Sequence, residues 1–200
     1  MPKPSPDLIL ASTSPYRLTL LKRLQLAFST ERPEVEEAPE PGEAPGTLAS
    51  RLALAKANAG SKNHPRAWVI GADQVASCRG QVLGKPGHFE RACEQLSAAS
   101  GQSVRFYTSV ALVRTDGAFC LTHTDHTDVH FRKLSTREIE SYVHTDTPYD
   151  CAGSFRSEGL GITLFDRIDS QDPTALVGLP LIWMAKALRE AGLSPLDATP

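Results

Sequence analysis

The chain has no apolar stretch approaching the roughly 20 residues needed to span a bilayer, so no membrane partner is expected. Residues 1–10 lack the basic start and apolar middle of a secretory leader, which points to a cytoplasmic protein. Its four cysteines, Cys78, Cys93, Cys120 and Cys151, form no CxxC pair and have no histidines beside them at zinc spacing. This excludes a zinc finger and predicts free, buried thiols in place of disulfides. Positive charge is not in excess either, since 21 Lys and Arg face 23 Asp and Glu for a formal net charge of −2. A broad nucleic-acid surface normally carries a basic surplus, so no nucleic-acid partner is expected. Internal repeats and long flexible linkers are also lacking.

What remains is an ordinary globular composition. The 200 residues, 40% hydrophobic and 22% charged, suffice for one domain or two small lobes around a substantial core. Three of the six histidines, His123, His126 and His130, fall close together. On a strand, His126 and His130 would share a face while His123 points the other way, which suits a metal site or simply a solvated strand edge.

Pattern and punctuation then divide the chain. Leu8 to Ala11 reads as a short strand running into a helix over 15–25, with Ser14 as N-cap, Pro15 at the first helical position and Leu18, Leu21 and Leu24 inward. Residues 31–46 alternate prolines with Glu31, Glu34, Glu36, Glu37, Glu40 and Glu43, an acidic loop. Thr47 can cap a second helix to about Lys62, with Leu48, Leu52 and Ala55 inward. Trp68 to Ala72 predicts a short buried strand, and Arg79-Gly80 a hairpin turn between 75–78 and 81–83. A helix is expected over 88–100, then two long strands, 104–114 and 119–131, joined around Asp116-Gly117. Ser135 and Glu138 form a capping box for a helix to about His144. A strand at 162–165 and a helix from Pro180 to about Gly192 complete the set, with 193–200 a frayed tail. The alternation predicts an α/β domain over 1–200 with a mixed sheet.

Several positions can carry chemistry. The turn Ser12-Thr-Ser14-Pro-Tyr16-Arg17 offers N–H groups at a helix start, hydroxyls and a guanidinium, a set suited to a phosphate chain or to a plain capped helix. Asp73, expected at the end of the buried strand, can serve a metal or activate water, or simply form a turn. Gly71 beside it would let a ligand approach the backbone. Lys85, between Gly84 and Pro86, and Lys56 suit phosphate oxygens or solvent. Glu36 or Glu37 could supply a second carboxylate to a divalent cation, or remain solvated. Glu158 stands among small residues in 151–161, pointing into a pocket or shaping a tight turn. The segment 172–181 is a second phosphate or ribose contact, or a helix start.

Taken in order, Ser12-x-Ser14-x-x-Arg17, Gly71-Ala-Asp-Gln74, Gly84-Lys-Pro86, Ala152-Gly-Ser-Phe-x-x-Glu158-Gly159 and Val177-Gly-Leu-Pro180 resemble the Maf family of nucleoside triphosphate pyrophosphatases over nearly the whole chain. The resemblance implies an elongated mixed sheet flanked by helices, with a deep cleft between two lobes, similar to the inosine triphosphate pyrophosphatases. It implies a homodimer and a divalent metal cation such as Mg2+ or Mn2+, with a small-molecule nucleotide as substrate. In that scheme Asp73 is the proton acceptor beside the metal, which Glu37 helps to hold. Lys85, Lys56, Arg17, Ser12 and Ser14 hold the phosphate chain.

Three positions used by the family to choose a base, Tyr16, Gln74 and Glu158, resemble the subgroup acting on 7-methyl-GTP. A cationic N7-methylguanine favours stacking on an electron-rich ring, and a carboxylate at 158 can accept from its N1–H and exocyclic amine. Tyr16 stands where that subgroup often has tryptophan, and Glu36-Glu37 where aspartate-glutamate is usual. The alternatives are a dTTP, UTP or broad-range pyrophosphatase and, from another class, a nucleotide-binding regulator of cell division.

Overall fold

The computed structural model describes residues 8–197; residues 1–7, and 198–200 at the end of the expected tail, lie outside it. Seven strands and five helices follow one another as β1 (Leu8–Ala11), α1 (Pro15–Lys22), β2 (Ser29–Glu31), α2 (Pro45–Asn63), β3 (Trp68–Cys78), β4 (Gln81–Leu83), α3 (Phe89–Ala99), β5 (Ser103–Arg114), β6 (Phe119–Phe131), α4 (Thr136–Asp146), β7 (Phe165–Ser170) and α5 (Leu181–Glu190). The sheet runs β2-β1-β3-β5-β6-β7, with β4 paired to β3. Both β2 and β3 lie parallel to β1, while β4 and β7 pair antiparallel with β3 and β6, so the sheet is mixed as expected.

Two compact units share this sheet path. The first holds the described residues up to Asp73, Thr108–Asp125 and those from Asp172 onward; the second holds Gln74–Tyr107 and His126–Gln171. In the first, strand alternation sorts the core into two layers. Leu8 and Leu10 of β1 and Trp68, Ile70 and Ala72 of β3 pack with Leu20 and Leu21 of α1 and Met184 and Leu188 of α5. The opposite face carries Ile9, Ala11 and Val69, which pack with Ala57 of α2. The second unit has an aromatic centre in which Phe155 meets Phe106, Phe131 and Phe165 edge-on, with centroids 5.3, 5.5 and 4.7 Å away.

Several expectations are corrected. β3 extends through 11 residues, so Asp73 lies within a strand and not at its end. β1 pairs with β3 at Trp68–Gly71 and β4 at Ala76–Cys78, and Asp73 lies between these two pairings. α1 ends at Lys22 and buries Leu20 with Leu21 where Leu18 was expected. α2 starts two residues before Thr47, on Pro45 with Ala44 as an N-cap lacking a side-chain bond, and Ala55 is only half-buried. Of the expected strand at 162–165, residues 162–164 fall in a 3-10 turn over Leu160–Leu164 with Ile162 54% exposed, and the strand begins only at Phe165. Of the cysteines only Cys78 is buried, Cys120 is exposed, and none forms a disulfide. The three histidines part company: His123 stacks on Trp183, His126 lies edge-on to Tyr107, and His130 bonds Ser103 and Asp169.

Candidate active site

Because β1 and β3 are parallel, the carboxyl end of β1 lies beside the interior of β3, with Ala11 opposite Gly71. Ser12, Ser14 and Arg17 follow β1, and Asp73 lies two residues past Gly71, on the same face of β3. That face meets α2 unusually closely. A Cβ on Gly71 would stand 2.2 Å from the Ala53 carbonyl oxygen and 2.4 Å from the Ala57 nitrogen, so only glycine fits. The small residue expected to admit a ligand admits a helix instead.

That approach sets Lys56 against Asp73. Its Nζ donates to Asp73 Oδ1 at 2.7 Å and lies 2.6 Å from Glu37 Oε1 of the acidic loop. Lys56 and Asp73 are buried at 7% and 8% exposure, whereas the Glu37 side chain is 62% exposed. An ion pair so placed is desolvated, and removing either member strands a charge.

Arg17 is the second cation. Its Nε donates to the Gly178 carbonyl at 3.0 Å and its Nη1 to Ser12 Oγ at 3.4 Å. Burial lowers its pKa, and the charges of Asp73 and Glu37 oppose that fall. Several N–H groups of the turn are already satisfied. Ser12 N–H donates to Leu10 O, Ser14 N–H to Ser12 Oγ and Arg17 N–H to Ser14 Oγ. The turn therefore offers side-chain donors more than backbone ones. Tyr16 is half-buried in the first turn of α1.

The segment at 172 proves to be a helix start. Asp172 Oδ1 accepts from the Thr174 N–H and hydroxyl at 2.8 and 2.6 Å, and its Oδ2 from Ile182 N–H at 2.7 Å. The same segment carries Gly178, whose carbonyl accepts from Arg17 Nε.

Gln74, Lys85 and Glu158 belong to the second unit. Gln74 points to the face of β3 opposite Asp73 by strand alternation. Lys85 is exposed on a fixed segment, because Gln95 Nε2 donates to the Gly84 carbonyl at 3.1 Å. The same buried glutamine accepts from Ser154 Oγ at 2.6 Å and so ties that segment to the turn preceding Glu158. Glu158 is itself exposed and accepts from Ser157 Oγ at 2.7 Å. Further back, Tyr142 Oη accepts from the Arg156 N–H at 3.0 Å, and Arg156 donates to the Asp146 carbonyl.

One ion pair beside these residues escaped the sequence reading. Arg51 of α2 grips Glu43 with Nε–Oε1 2.7 Å and Nη2–Oε2 2.8 Å, and its Nη2 also donates to the Ala38 carbonyl at 3.0 Å. The available signal was charge complementarity, an arginine one and a half turns before Lys56 on the helix that follows the acidic loop.

The Maf-like protein family matches residues 7–191. The chain belongs to this family. A 7-methyl-GTP pyrophosphatase of Xanthomonas oryzae pv. oryzae is 59% identical over 187 residues, covering 94% of this chain and 97% of that protein. A protein of the same name from Polaromonas is 54% identical over 95% of this chain and 87% of its own, and one from Bordetella pertussis is 49% identical over the whole of both. Of the expected site residues, Ser12, Ser14, Arg17, Glu37, Lys56 and Asp73 fall in one unit.

Proposed function

We propose that this Maf protein is a hydrolase that converts 7-methyl-GTP and water into 7-methyl-GMP and diphosphate, removing a modified nucleotide. The observation that carries this reading is the buried carboxylate of Asp73, held 2.7 Å from Lys56 and within the field of Arg17. A binding protein for an anion needs the two cations; it has no use for a buried carboxylate beside them. The names of relatives at 49–59% identity support the substrate.

Water attacks the α-phosphorus, Asp73 takes its proton, and the bond to the bridging oxygen breaks to release diphosphate. Arg17, Lys56, Lys85 and the hydroxyls of Ser12 and Ser14 hold the phosphate oxygens as charge builds on them. Asp73 and Glu37 fit a hard divalent cation, since their oxygens already converge on one cationic centre, the Lys56 ammonium. Such an ion would neutralise phosphate charge, and no set of three protein ligands lies together among the described residues, so water and phosphate would complete its shell. Tyr16, Gln74 and Glu158 read the base. The protein acts as a cytoplasmic homodimer on small-molecule nucleotides, not on nucleic acid.

The test is diphosphate release from a panel of nucleoside triphosphates with Mg2+ or Mn2+. Fastest release from 7-methyl-GTP is expected. A preference for dTTP or UTP overturns the base assignment.

A further inference from the structure

The acidic loop reaches Lys56 through Glu37, an exposed side chain on a stretch without regular structure. Something must hold it there. Arg51 is the group that does so: its Nε and Nη2 occupy both carboxylate oxygens of Glu43, and the same Nη2 also donates to the carbonyl of Ala38, the residue next to Glu37. Glu43 Oε2 also accepts the Glu40 N–H at 3.0 Å, and Glu36 Oε1 accepts the Ala38 N–H at 3.1 Å. The Glu43 side chain is only 4% exposed and that of Arg51 30%, so the fork is shielded where a surface pair would be solvated. Arg51 and Lys56 share α2, the helix that Gly71 seats against β3. One rigid element thus presents the lysine and anchors the loop that supplies its second carboxylate.

We propose that Arg51 and Glu43 form a clasp that positions Glu37 for the metal- and phosphate-binding cluster, acting through the loop and not on substrate. This rests on the pyrophosphatase reading above. Arginine is required, because lysine has the charge but cannot bond two carboxylate oxygens and a carbonyl in one plane.

The experiment compares Arg51→Lys, Glu37→Gln and the double variant in the full-length protein by three readouts: amide hydrogen exchange across 36–43, binding of Mn2+ alone, and diphosphate release from 7-methyl-GTP. Arg51→Lys is expected to speed exchange at Ala38 and Glu40 and to weaken Mn2+ binding about tenfold, the scale of lost outer-sphere support. Added to Glu37→Gln, it should slow turnover no further, because the residue it positions is already gone. Unchanged exchange in Arg51→Lys, or losses that multiply in the double variant, overturns the clasp. Failure of the underlying reading looks different: Asp73→Asn would then retain full turnover whatever the loop does.

Discussion

Gly71 and Ala53 are in such close contact that the space for a Cβ at position 71 is taken by a carbonyl oxygen of the neighbouring helix, 2.2 Å away. Neither backbone can yield without lifting α2. Gly71→Ala is therefore expected to destabilise the protein by about 3 kcal/mol or more, at the upper end for overpacking. It should also reduce turnover beyond what unfolding explains, because Lys56 moves with the helix. Urea unfolding and activity at saturating substrate measure the two effects. A variant as stable as the parent contradicts the contact.

Asp73→Asn preserves shape and removes the proton acceptor. Turnover should fall by about 10²–10⁴-fold, the range for a lost general base, with nucleotide affinity changed only a few-fold. Single-turnover kinetics beside equilibrium binding separate these quantities. Full turnover in the amide variant removes Asp73 as the base.

Asp172→Ala leaves the Thr174 and Ile182 N–H groups without their acceptor at the start of α5. A cost of about 2 kcal/mol is expected, combining a lost cap with an unsatisfied buried donor. Thermal unfolding tests this, and a change under 0.5 kcal/mol would show the helix start to be held by other bonds.

Acid should weaken the protein through two carboxylates. Hydrogen bonds from Arg51 and the Glu40 N–H bring Glu43 from 4.5 to about 2, and bonds from the Ser135 N–H and hydroxyl and from Arg132 do the same for Glu138. Both values are lowered by folding, so the stability they contribute is present above pH 4.5 and lost as pH falls toward 2. The melting temperature should decline across that window. Glu138→Gln should flatten the decline, and an unaltered acid limb would remove Glu138 from the account.

Glu158→Gln should relax the choice of base far more than it slows the best substrate. The ratio of kcat/KM for 7-methyl-GTP to that for dTTP is the quantity to measure. An unchanged ratio counts against Glu158 as the residue that reads the purine edge.

Local chemistry was legible wherever neighbours in the chain satisfy one another. The Ser14 cap on α1 and the reciprocal Ser135–Glu138 box on α4 formed where expected, since each bond spans three residues. The Arg79-Gly80 hairpin formed likewise, both residues having the positive φ its tight turn requires. Motif order carried the family, because residue types survive in sequence whatever their spatial arrangement. The continuity of β3 was hidden, as the apolar run stops at Ala72 and resumes at Val75, and the polar Asp73 and Gln74 between them are extended only as part of the sheet. The purpose of Gly71 was hidden too, since its partner lies 18 positions earlier on a helix. Only tertiary packing joins Arg51 to Glu43 and sets Lys56 between Asp73 and Glu37. Charges on an exposed loop gain direction from what holds the loop in place, and that contact exists only once the helix is seated on the sheet.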